Sequence, residues 1–261
     1  MKPSTDDRPE GILVVGHGTR DRRGTDEFFA FGDRLADRTE LPVVASLLEF
    51  QQPTIAQGWR MLVDRGVRHV HVTPLLLFAA GHARQDVPEE ITAAAAETPD
   101  VTHDQCGPLS RSPEMVTLAC ERITHTMSSQ SLDPQRTAVV VVGRGSHHPC
   151  ATSDLRVFSE LVRHRCPAAG HDTAFYAMAE PRLPEILDRV ASSGRWNNVV
   201  VYPHLLFNGR LYEAIMRQTD EAGGRHPSIR FVVTDYLGPV DGVVDATLRR
   251  IGRPVPATVG V

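Results

Sequence analysis

The chain has 261 residues, 41% hydrophobic and 23% charged, with 28 Lys and Arg against 32 Asp and Glu for a formal net charge of -4. That length and balance supply a sizeable core, and they exclude a disordered chain, a collagen-like rod and a disulfide miniprotein. A net negative chain lacks the basic surplus of a non-specific nucleic-acid binder, so an anionic ligand must be met by local arginines.

The N-terminal MKPSTDDRPE is polar and carries no apolar signal region. The first periodic element is a short apolar strand, Gly11–Gly16, followed by a helix over Thr25–Arg38 with Thr25 at its N-cap. Pro42–Leu48 is β-branched and reads as a strand, Thr54–Asp64 as a helix, and Val67–Leu77 as a strand. Val87–Glu97 is a helix, Val101–Gln105 a weak fourth strand, and Ser112–Thr126 a closing helix. The segment SSQSLDPQR, 128–136, is a linker. Strands then recur near Ala138–Gly143, Thr173–Ala177, Asn198–Leu206 and Arg230–Asp235.

The second series repeats the first. Val14-Val15-Gly16-His17-Gly18 matches Val141-Val142-Gly143-Arg144-Gly145, and Pro53 matches Pro181. Pro74 to Phe78 matches Pro203 to Phe207, Gly81 matches Gly209, and Gly107-Pro108 matches Gly238-Pro239, all at offsets of 127 to 131. The expected architecture is α/β: two tandem doubly wound parallel-sheet domains related by internal duplication, residues 1–127 and 137–252.

Ligands of such sheets bind beyond the carboxyl ends of the strands. There the first half places His17 after its first strand, Glu49 after its second and His82 after its third. Two imidazoles and a carboxylate suit a borderline divalent ion such as iron, cobalt, nickel or zinc. Taken singly, the residues fit blander roles: a Gly-His-Gly turn or anion-binding turn, a solvated glutamate, a helix-capping histidine. The second half carries Arg144, Ala177 and Arg210 at the matching positions, so it has exchanged its ligands for arginines, which hold carboxylates bidentately. If both halves face one cleft, the first offers a metal-handling edge and the second an anion clamp. His69 and His71 alternate along a strand and read as a packed or solvated face; His147, His148 and Cys150 form a weak secondary metal cluster. Cys106, Cys120, Cys150 and Cys166 make no CxxC pair and read as reduced thiols of a cytoplasmic protein without membrane or nucleic-acid partners.

Three segments carry a resemblance: Val-Gly-His-Gly-Thr-Arg-Asp at 15–21, Leu-Leu-Glu-Phe-Gln-Gln-Pro-Thr-Ile at 47–55, and Thr-Pro-Leu-Leu-Leu-Phe-Ala-Ala-Gly-His-Ala-Arg-Gln-Asp-Val-Pro at 73–88. With them the chain resembles the sirohydrochlorin chelatases, class II enzymes that insert cobalt or iron into a tetrapyrrole, over about Gly11 to Ile251. One departure is visible: Gln52-Pro53-Thr54 stands where many members carry Glu-Pro-Ser, while the second half keeps Glu180-Pro181. The resemblance implies that His17, His82 and Glu49 hold the metal and carry the catalysis. It further implies insertion of Co(2+) or Fe(2+) into sirohydrochlorin, in cobalamin or siroheme biosynthesis, with the metal as substrate and no permanently bound cofactor. Arg20, Arg84, Arg144 and Arg210 are the expected partners of the substrate carboxylates, and Phe50, Phe78, Tyr176 and Phe207 a candidate apolar wall. A histidine phosphatase would want an arginine where Gly16 stands. The rival from another class is a metal or tetrapyrrole carrier that does not turn over. The fused repeat implies a monomer.

Overall fold

A run of β-branched residues with no polar alternation is the signature of a strand covered on both faces. Such a run opens each half: β1, Glu10–Gly16, and β5, Thr137–Gly143, whose seven residues are all buried. The computed structural model describes residues 8–78 and 85–255. The chain forms two compact units, one of residues 1–109 with 239–261, the other of 110–238.

In the first unit β2 (Val43–Leu47), β3 (His69–Pro74) and β4 (Thr102–Gln105) join β1 in an all-parallel sheet of order β2-β1-β3-β4. Parallel neighbours need crossovers, and helices supply them: α1 (Arg22–Asp37), α2 (Ile55–Asp64) and α3 (Asp86–Ala96). α2 starts sharply because Thr54 and Gln57 form a capping box, each side chain satisfying the other's backbone amide. Its buried Trp59 packs with Leu13, Val15, Val70 and Val72, and the indole N–H donates to Thr98 Oγ1 at 2.9 Å, so no buried donor is wasted. The opposite face receives α1 through Phe28, Phe31 and Leu35, all buried.

In the second unit β6 (Gly170–Phe175), β7 (Asn198–Pro203) and β8 (Arg230–Val233) join β5 in the same order, β6-β5-β7-β8, again parallel. Its helices are α4 (Pro113–Ser129), α5 (Pro149–Arg165), α6 (Leu183–Ser192) and α7 (Arg210–Arg225). A core of Val140, Val142, Val199, Val201, Leu183, Leu187 and Ile215 fills one face of the sheet; each fully buried side chain of this kind contributes roughly 1.5–3 kcal/mol relative to an exposed one.

The two parallel sheets and their repeat agree with the sequence reading. The compact units exchange one helix each relative to the sequence repeats. The helix α4, which closes the first repeat in sequence, belongs to the second unit, and the last helix α8 (Asp241–Arg250) belongs to the first. Ion pairs bind α8 there: Arg34 Nε meets Asp241 Oδ1 at 2.7 Å and Arg38 Nη2 meets Asp245 Oδ1 at 2.8 Å. Two element ends also shift. The N-cap of α1 is Asp21, whose carboxylate accepts from the Arg23 amide, rather than Thr25, which lies within the helix. β3 stops at Pro74 instead of reaching Leu77, because the Leu76 amide turns back onto the Pro74 carbonyl at 2.9 Å.

Candidate active site

The strand order places β1 beside β3, with β2 beyond β1 on its other flank, so the chain leaves the sheet in opposite directions from these two neighbours. The carboxyl ends of β1 and β3 form the switch point where a doubly wound sheet opens a crevice. His17 follows β1 directly.

The β1–β2 ladder extends beyond both strands: the Leu48 amide donates to the Gly16 carbonyl at 2.9 Å and the Glu49 amide to the His17 carbonyl at 3.1 Å. His17, half-buried, and Glu49, exposed, are thus neighbours on one rim. Gly18 makes this approach possible. It adopts φ +91, open to glycine, and a Cβ there would run into the Glu49 carbonyl. Gln51 fastens the two loops, donating from Nε2 to the Thr19 carbonyl at 2.8 Å and accepting at Oε1 from the Thr25 hydroxyl at 3.1 Å. Beside it Phe50 holds φ 72 and is 53% exposed, and the Arg20 guanidinium stands 5.1 Å over its ring. An exposed cation on an exposed aromatic is a platform for a flat anionic ligand.

At the end of β3 the Leu75 amide donates to the Val15 carbonyl at 2.8 Å, keeping the departing chain against β1. His82 and Arg84 lie outside the described residues.

The second unit repeats this backbone with different chemistry. Tyr176 donates to the Gly143 carbonyl at 2.9 Å and Ala177 to the Arg144 carbonyl at 2.8 Å, so Arg144 stands where His17 does and Ala177 where Glu49 does. Gly145, φ +86, plays the part of Gly18, and Met178, φ 56, that of Phe50. Arg210, exposed, is the first residue of α7, after Gly209.

Two site expectations need revision. His147, His148 and Cys150 do not converge: His148 is the N-cap of α5 and Cys150 is exposed in its first turn, which spreads the donors around a helix start. Of the proposed apolar wall, Tyr176 instead packs on the second unit's core, whereas Phe50 is largely open. Sequence reasoning passed over Gln51, whose side chain joins Thr19 on the first loop and Thr25 in α1.

A family model described as CbiX matches residues 11–126 and again residues 138–253. The sirohydrochlorin ferrochelatase of Priestia megaterium is 31% identical over 238 residues, 91% of this chain and 87% of that protein. The sirohydrochlorin cobaltochelatase of the same organism is 28% identical over 229 residues, 88% of this chain and 74% of that protein. Among solved structures, SirB from Bacillus subtilis with Fe3+ is similar at a TM-score of 0.83 and 30% identity, over 93% of this chain and 94% of that one.

Proposed function

The chain belongs to the CbiX family, and from that premise we propose that it is a chelatase inserting a divalent metal, cobalt or iron, into sirohydrochlorin, in siroheme or cobalamin biosynthesis. The observation that supports this reading is the backbone bond from Glu49 to His17, which holds the two loops bearing an imidazole and a carboxylate together at the switch point of the first sheet.

Insertion into a tetrapyrrole exchanges two pyrrole N–H protons for one M(2+), so the reaction needs a labile ligand for the ion and an acceptor for protons. In this reading His17 and His82 present imidazole lone pairs that hold the metal without trapping it. Glu49 shares the ion or receives a pyrrole proton and releases it to solvent, to which it is exposed. Arg20 and Arg84, with Arg144 and Arg210 of the second unit, take the peripheral carboxylates through charge-assisted hydrogen bonds. The Arg20–Phe50 stack supplies a flat face for the macrocycle. At this rim the metal is a substrate and no resident cofactor takes part.

A ferrochelatase and a cobaltochelatase of one organism are both relatives of this chain, so family membership leaves the metal open. Imidazole and carboxylate donors suit either ion. Among the described residues no helix is long and apolar enough to cross a membrane. Four free cysteines favour a reducing compartment, the cytoplasm. Two family repeats in one chain favour a monomer, which light scattering at the mass of a single chain would support and an obligate dimer would refute.

The decisive assay follows sirohydrochlorin absorbance with Co(II), Fe(II) and Ni(II) in turn. Metallation of many equivalents per chain supports the reading; arrest near one equivalent makes the protein a carrier.

A further inference from the structure

The far end of the first sheet carries a second set of metal-type donors. In the β3–β4 ladder His69 lies opposite Thr102 and His71 opposite Asp104, and in the β1–β3 ladder Glu10 lies opposite His69. Side chains two residues apart share a face of a strand, so Glu10, His69, His71, Thr102 and Asp104 all stand on one face. Donor atoms of His69, His71 and Asp104 come within 4.8 Å of one another, the one such convergence of three among the described residues.

Hydrogen bonding fixes which atoms face inward. The Thr102 hydroxyl lies 2.8 Å from His69 Nδ1, so that ring nitrogen is taken up by Thr102 and Nε2 is the one left toward the cluster. His69 Nε2 stands 3.9 Å from Asp104 Oδ1. His71 Nδ1 is 2.9 Å from the same carboxylate oxygen. If that contact is an N–H···O bond, His71 Nε2 is left as a bare acceptor 3.8 Å from another carboxylate, Glu10. The His71 side chain is only 9% exposed, and its Nε2 has no hydrogen-bond partner. A buried acceptor facing an anion is a costly arrangement.

A cation between His69 Nε2, His71 Nδ1 and Asp104 removes the mismatch. The His71 proton moves from Nδ1 to Nε2 with no net release and then points at Glu10, giving the carboxylate–histidine–metal pattern in which an outer carboxylate orients the ligand. Glu10 is held in place by an ion pair with Arg253. We infer that His69, His71 and Asp104 bind one divalent first-row transition-metal ion of the cobalt–nickel–zinc type. Two imidazoles and one carboxylate are the donor set for such an ion. Asp104 is 56% exposed, which gives the ion an entry path.

This site is separate from the rim. β1 runs from Glu10 beside the cluster to Gly16 before His17, about 20 Å at ~3.3 Å per residue. Its ion is retained, a clamp that stitches the short edge strand β4 to β3.

The test is Co(II) titration of the full chain carrying His17→Ala and His82→Ala, followed by visible absorption and by Tm. One remaining equivalent with a rise in Tm is expected, and adding His69→Ala or Asp104→Asn should weaken it more than about tenfold. Both added changes fall on partly exposed side chains, and circular dichroism of the apo variants checks the fold. No cobalt equivalent in the rim-disabled chain overturns the inference. So does an equivalent that survives both added changes. Failure of the chelatase reading registers separately, as absent sirohydrochlorin turnover by the unsubstituted protein.

Discussion

The amide of Glu49 donates to the carbonyl of His17 at 3.1 Å, one ladder step beyond the last strand pair, Gly16 with Leu47. A sheet bond is thereby used as a jig: the two residues proposed for the site, both on loops, inherit the rigidity of the strands that precede them. Gly18 is the weak point of that jig. Gly18→Ala must put a Cβ into the Glu49 carbonyl and a non-glycine residue at φ +91. Metal insertion should fall steeply while the protein loses on the order of 2 kcal/mol. Urea midpoints and turnover measured together check it, and Gly145→Ala is the control, since it imposes the same clash on the Arg144–Ala177 loops and leaves the His17–Glu49 bond alone.

The Glu49 carboxylate is exposed, so its removal should act on chemistry rather than on folding. Glu49→Gln preserves shape and removes the charge and basicity; insertion should slow by roughly 100-fold or more, the span of general acid–base effects. Stability should stay within about 0.5 kcal/mol, as for surface changes. His17→Ala should lose chelation likewise with the fold retained. Unaltered turnover in both variants would remove the rim assignment.

Much of this rim was readable before any coordinates. Offsets of 127 and 128 aligned His17 with Arg144 and Glu49 with Ala177, and the matching amide–carbonyl bonds now realise that alignment atom by atom. Runs such as Thr137–Gly143 declare buried parallel strands by lacking polar alternation. What was not readable is non-local. Nothing in Asp241–Arg250 says which sheet it will cover; the decision rests on partners such as Arg38 and Asp245, 207 residues apart. The convergence of His71 on Asp104 likewise depends on the register between β3 and the edge strand β4, which no periodicity encodes.

Acid should destabilise the second unit. Burial lowers His204 to about 3 and His171, which contacts Ser159 Oγ at 2.8 Å, to about 4. Both are neutral when folded and titrate near 6.5 when unfolded. Their contribution is whole above pH 6.5 and is lost as pH falls from there toward the folded values, each histidine adding a slope of up to ~1.4 kcal/mol per pH unit. Urea unfolding between pH 7.5 and 5 should show that decline. His171→Gln, which keeps a hydrogen-bonding group beside Ser159, should flatten it; an unchanged slope would mean that His171 is not buried neutral.

The second unit repeats the backbone of the proposed metal rim without its imidazole and carboxylate, which permits a constructive test. Ala177 donates to the Arg144 carbonyl at 2.8 Å as Glu49 does to that of His17, and Gly145 repeats the left-handed turn of Gly18. The two units therefore differ at these positions in side-chain chemistry and not in loop path. Arg144→His with Ala177→Glu should restore an imidazole and a carboxylate on neighbouring loops, and Arg210→His adds an imidazole where His82 stands in the first repeat. The triple variant should bind one more equivalent of Co(II) than the unsubstituted chain, counted by equilibrium dialysis, and the double variant should bind it more weakly. The same changes delete two arginines proposed to hold substrate carboxylates, so tetrapyrrole affinity should drop and become less salt-sensitive, because charge-assisted contacts are the ones that salt screens. Gained metal with unaltered tetrapyrrole affinity would keep the loop equivalence and strip Arg144 and Arg210 of their substrate role. No gained metal would mean that equal backbone bonds do not suffice to aim the side chains.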